Sequence, residues 1–194
     1  MSTTWLPLAG TEQKAWILHI ANRGFFMVDP APASGGAKAG ATAASSPAGQ
    51  DPLHRSGLVF AGANQPDANP ADDGYLTAAE ATAMDLEGTE LVTLSACETG
   101  LGGVQSGEGV YGLQRSLAVA GARSTLLSLW KVDDALTATF MQRYYKRLKA
   151  GEGRAESLRN TPSEFRNHKN STDNDIRVWG AFQLSGDWRA LPKW

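Results

Sequence analysis

The sequence predicts an α/β protein built on a mainly parallel sheet flanked by helices, and three observations carry that expectation. Short apolar runs of strand length alternate along the chain with stretches whose apolar residues recur every three to four positions. The run over 91–96 reads as a strand covered on both faces, as parallel strands are. Strands that alternate with helices in this way imply right-handed crossover units.

Taken in order, residues 16–20 (Trp-Ile-Leu-His-Ile) form a short buried strand closed by Asn22-Arg23-Gly24. Residues 29–50 are nearly all Ala, Gly, Ser and Pro, a composition that cannot build a packed core, so they are expected to be a flexible surface insert. A strand is expected at 57–61, followed by a connection over 62–74 rich in Asn, Asp and Pro. Thr77 and Glu80 have capping-box spacing and open a short helix. Residues 91–96 are the central strand, and 109–121 follow as a helix with Leu113, Leu117 and Ala120 or Gly121 on one face.

Another buried strand is expected at 124–130. Asp133 or Asp134 then caps a long helix in which Leu136, Phe140, Tyr144 and Leu148 recur at helical spacing. Lys146, Arg147 and Lys149 complement the dipole at its C-terminal end. A second helix around 152–158 weakens before Pro162, 167–175 is a polar connection, and 178–184 is the last strand.

Bulk properties narrow the function classes. At 194 residues the chain fits one domain with a normal core. A net charge of −2 leaves no basic footprint for nucleic acid or for membrane headgroups, so neither is expected as a partner. One cysteine excludes an internal disulfide, and no cysteine–histidine cluster has zinc-ligand spacing. No metal and no cofactor are expected. The first residues lack a basic segment followed by a long apolar core, and no run is long enough to span a bilayer; a cytoplasmic location is the expectation.

The single cysteine is the best clue to chemistry. Cys97 lies in Leu91-Val-Thr-Leu-Ser-Ala-Cys97-Glu-Thr-Gly100, where a strand runs into a glycine-rich turn through Gly102 and Gly103. Ligands and chemistry gather at the carboxyl ends of strands in open α/β sheets. A lone intracellular cysteine there is a candidate nucleophile. A free cysteine also packs well as a small hydrophobe, so a buried structural thiol is the second reading, and the residues alone leave both open. No Gly-Lys-Ser/Thr follows the glycines, which argues against a phosphate cradle.

Several words in order resemble the CHAT domain, a relative of caspases and separases among the caspase-like cysteine peptidases. They are Leu94-Ser-Ala-Cys97-Glu-Thr-Gly100-Leu-Gly, Gly107-Glu-Gly-Val-Tyr-Gly-Leu113, Ala120-Gly-Ala-Arg123-Ser and Ser128-Leu-Trp130-Lys-Val-Asp133-Asp134. Asp51-Pro-Leu-His-Arg-Ser-Gly57-Leu, Ala61-Gly-Ala-Asn64, Trp179-Gly-Ala-Phe182 and Gly186-Asp187 also fit. The resemblance runs over 16–188, between a linker remnant at 1–15 and a tail at 189–194. It implies a caspase-like sandwich and peptide-bond cleavage by a cysteine–histidine dyad acting on a protein or peptide. By the same resemblance Cys97 takes the nucleophile position, and Gly24 supplies a backbone N–H to an oxyanion hole. Asp133 and Asp134 follow a strand end near the same rim. They read either as the acidic wall of a pocket for a basic residue or as helix N-caps.

Two departures matter. The family's motif has the form Leu-His-x-Ala-Thr-His-Gly, and here it is Leu18-His19-Ile-Ala21-Asn22-Arg23-Gly24, so Arg23 replaces the catalytic histidine. A guanidinium stays protonated with a pKa above about 12 and cannot take the thiol proton, although it can favour a thiolate nearby. His19 lies four residues earlier, roughly 10 Å or more back in extended chain, and is expected in a packed or hydrogen-bonded role. The resemblance supports neither His54 nor His168 as a substitute base. Second, Leu6-Pro-Leu-Ala-Gly-Thr11-Glu12 resembles a linker that in the family precedes an additional strand and helix. The chain is therefore expected to lack an N-terminal strand–helix unit, leaving an uncovered sheet edge for association with a partner. The leading expectation is a pseudopeptidase acting as a binding or regulatory module. The alternatives are an active cysteine endopeptidase cleaving after basic residues, with Cys97 as nucleophile, and a degenerate gene product.

Overall fold

The computed structural model describes residues 16–26, 52–54, 56–64, 73–95, 107–130, 132–166 and 179–192; the expected insert at 29–50, His168 and Cys97 lie outside them. Along the chain come β1 (Ile17–Ile20), β2 (Arg23–Phe26), a 3-10 turn (Pro52–His54), β3 (Ser56–Val59), β4 (Tyr75–Thr77), α1 (Ala78–Thr82) and β5 (Leu91–Leu94). Then follow α2 (Gly107–Val119), β6 (Ser124–Ser128), α3 (Asp134–Lys149), α4 (Arg154–Arg166) and β7 (Phe182–Gly186). The main sheet has the order β1-β5-β6-β7, with β1, β5 and β6 parallel and β7 antiparallel to β6. A second, antiparallel sheet has the order β2-β3-β4.

Strand alternation sorts the side chains of the main sheet into two cores. Val92, Leu94, Leu127 and Ile20 pack with Ala78 and Ala81 of α1 and with Leu113 and Leu117 of α2. Leu91 and Leu126 point the other way and pack with Phe140, Met141, Tyr144 and Leu148 of α3. All four residues of β5 are buried, which makes it the central strand that its composition predicts. Each buried leucine contributes about 1.5–3 kcal/mol relative to an exposed one, so the sheet is held from both faces. This is an α/β sandwich of the caspase-like kind, with a mostly parallel sheet flanked by helices.

Local signals hold where they act over a few residues. Thr77 and Glu80 close the capping box of α1: the Glu80 N–H donates to Thr77 Oγ1 at 3.2 Å, and the Thr77 N–H donates to Glu80 Oε2 at 2.8 Å. The apolar stripe of α3 is buried through Phe140, Tyr144 and Leu148. Helix α2 ends as a Schellman motif: Ala122 N–H donates to Leu117 C=O, Gly121 N–H donates to Ala118 C=O, and Gly121 takes φ of +108°.

Four expectations are corrected. The strand expected at 57–61 begins at Ser56 and belongs to the small antiparallel sheet rather than to the parallel one. Arg23 and Gly24, read as closing the first strand, instead begin β2, and β4 at Tyr75–Thr77, where no strand is expected from the sequence, completes this small sheet. Helix α4 continues past Pro162 to Arg166. An interior proline costs about 3 kcal/mol, but Thr161 and Pro162 are buried, so packing outweighs propensity. The last strand starts at Phe182 rather than at 178 and runs antiparallel. Because the two helices α3 and α4 intervene after β6, the chain returns to the end of the sheet where β6 stops and β7 runs back.

The opposite end of the sheet is locked by charge. The guanidinium of Arg154, at the start of α4, is fully buried. It donates to Glu90, lies 3.7 Å from Asp187, and donates to the Arg189 carbonyl at 3.1 Å. Arg123 Nε is 3.4 Å from Glu90, and Arg189 grips Asp187 through Nε at 3.0 Å and Nη2 at 2.9 Å. Leu191, within the stretch read as a tail, is buried in the α3 core.

Candidate active site

Because β1, β5 and β6 are parallel, their carboxyl ends open on one rim, with β5 in the middle. Each sequence-nominated group follows one of these ends. Ala21 and Asn22 separate β1 from β2, whose first residues are Arg23 and Gly24. Ser95 follows β5, and Cys97 comes two residues later in the sequence. Asp133 and Asp134 lie between β6 and the body of α3.

Backbone pairing holds the first of these exits. Arg23 pairs with Val59 and Gly24 with Leu58 across the antiparallel sheet. Gly24 is thus a strand residue, not the turn glycine that its sequence context allows. At the third exit, Asp133 is the N-cap of α3 and its Oδ1 accepts from the N–H groups of Ala135 and Leu136, both at 3.0 Å. Asp134 is the first residue of the helix, where a carboxylate also suits the dipole. Both are exposed. Trp130, exposed beside them after β6, was not singled out by the sequence reading.

The middle of the rim holds a polar cluster. His19 pairs in register with Thr93, and its Nε2 is 2.9 Å from Ser95 Oγ. The Ser95 N–H donates to the Ile20 carbonyl at 3.1 Å, which ties the exits of β1 and β5 together. The ring of Tyr145, from α3, packs 5.7 Å from the His19 ring, and its hydroxyl donates to Thr93 Oγ1 at 2.9 Å. Partial burial lowers the His19 pKa from its ordinary value, which favours the neutral imidazole. Burial raises the Tyr145 pKa, against the Thr93 hydrogen bond, so the phenol stays protonated.

His19 therefore has the hydrogen-bonded role expected of it, but the partner came from a neighbouring strand. Ser95 is the site residue that sequence reasoning missed. The available signal was parity: Thr93 and Ser95 share one face of β5, the face toward which His19 points. His54 is exposed in the 3-10 turn. Among the described residues no group of three or more His, Cys, Asp or Glu side chains is placed to hold a metal ion. Among the same residues, no helix is long and apolar enough to cross a membrane.

The family model of the CHAT domain matches residues 4–187. No curated protein matches the chain. The match covers nearly the whole sequence and agrees with the mostly parallel sheet flanked by helices: the chain belongs to the CHAT domain family, one of caspase-like peptidases.

Proposed function

We propose that this CHAT domain is a catalytically impaired cysteine peptidase homologue, a pseudopeptidase that serves as a regulatory or binding module for a protein or peptide. The observation that carries this reading is Arg23, at the position where the family's motif has its histidine. Cysteine peptidase turnover needs a group that takes the thiol proton and returns it to the leaving amine, and arginine does neither at neutral pH. Cys97 as nucleophile position and Gly24 as oxyanion donor belong to the same proposal, as does a cytoplasmic setting. Asp133 or Asp134 would favour a basic residue before the cleaved bond. Among the described residues β1 is an edge strand of the main sheet, which supports association with a partner there.

The test is Arg23→His, assayed on peptides with arginine before the scissile bond. The variant is expected to cleave about 10²–10⁴-fold faster than the wild type, the usual worth of positioned proton transfer. A correctly folded variant that stays inert would refute the scaffold reading. Equal cleavage by both proteins would establish the active-endopeptidase reading instead.

A further inference from the structure

We propose that Ser95 and His19 form a second reactive pair at this rim, a serine nucleophile with its own imidazole base, able to accept an acyl or phosphonyl group without Cys97 or Arg23. The first support is contact: Nε2 and Oγ are 2.9 Å apart, within the reach a nucleophile and its base require. The second is place. The pair sits where β1 and β5 end, the side of a parallel sheet at which substrates approach. Ser95 is half-buried and His19, packed on one side, keeps part of its ring in solvent, so a small reagent can meet the hydroxyl while the imidazole discharges its proton to water.

The third support is the state of the base. Nε2 must be unprotonated to accept the hydroxyl proton, and partial burial of His19 favours that neutral form. Tyr145 is the titratable group facing the imidazole among the described residues. Its hydroxyl is engaged by Thr93 and does not compete for Nε2. The ring also limits the imidazole's freedom to turn away from Ser95.

With an ester, Ser95 Oγ bonds to the acyl carbon and its proton passes to His19 Nε2. The carbon–oxygen bond then breaks, and the alkoxide leaves with that proton. With a fluorophosphonate, Oγ bonds to phosphorus and the phosphorus–fluorine bond breaks. Fluoride departs and the proton again goes to the imidazole.

The experiment treats the whole chain with a fluorophosphonate, follows intact mass, and locates the adduct by peptide mapping. One phosphonyl group on Ser95 is expected, with a rate that falls in acid as His19 protonates, at a midpoint below pH 6.5. Ser95→Ala should take no label. His19→Gln, with melting behaviour confirming the fold, should label about 10²-fold or more slowly and lose the acid limb. No adduct, an adduct on another residue such as Cys97, or a rate that His19→Gln leaves unchanged would overturn the pair. None of these outcomes depends on the Arg23→His result, so each reading fails or stands separately.

Discussion

Replacing Arg154 by methionine removes a fully buried guanidinium joined to both carboxylates, Glu90 and Asp187, at the amino-terminal end of the main sheet. Methionine fills much of the same volume, so the change is mainly one of charge. Glu90, itself buried, keeps Arg123 at 3.4 Å, whose side chain is largely in solvent. The Arg189 carbonyl also loses a donor. Removing one partner of a buried ion pair costs about 3–5 kcal/mol, because the remaining charge is stranded in a poorly solvating site. In a protein of this length about 1 kcal/mol shifts the midpoint by roughly 2–4 °C, so a drop of roughly 6–20 °C is expected. The assay is urea unfolding followed by circular dichroism, with thermal melts alongside. The physics demands a second result: Arg154→Met combined with Glu90→Gln should recover part of the loss, since the stranded charge is gone. A single variant losing less than about 1 kcal/mol would refute the reasoning, as would a double variant no more stable than the single.

Three further outcomes follow from the same structure. Hydrogen bonds from Arg189 hold the Asp187 carboxyl well below the usual carboxylate range. Its folded pKa is depressed, so its stabilisation is present above the unfolded value near 3.9 and fades as pH falls below it. Wild type and Asp187→Asn should therefore differ in urea midpoint at pH 7 and converge toward pH 2. Asp133→Ala removes the cap of α3 and should cost about 0.5–2 kcal/mol in urea unfolding. Gly57→Ala would place a Cβ 2.2 Å from the Leu76 carbonyl oxygen and 2.8 Å from Thr77 Cα. The two strands must part, so a loss of about 1–3 kcal/mol and a lower melting temperature are expected.

The features legible along the chain were those made by neighbours in sequence. The capping box at Thr77 and Glu80, the N-cap at Asp133, the stripe of Phe140, Tyr144 and Leu148, and the buried run of β5 each depend on spacings of a few residues. Periodicity reports such spacings directly. The carboxyl ends of β1, β5 and β6 were legible for the same reason, because a strand's end is marked by where its apolar run stops. The family words acted as a longer version of that signal.

Other features were settled by where the chain goes after a turn, which no local pattern encodes. Short runs such as 57–61 and 178–184 are strand-like in either direction and in either sheet. Their pairing was decided by the two-residue link from β1 to β2 and by the α3–α4 hairpin before β7. Helix α4 crosses Pro162 because Thr161 and Pro162 are buried, a gain visible only once the layers are assembled. His19 and Ser95 are 76 residues apart, and their hydrogen bond exists because the register of β1 on β5 brings one face of each strand together. Sequence specifies the strength of such contacts, but lateral strand order brings the partners within reach, and that order is a property of the whole packed sheet.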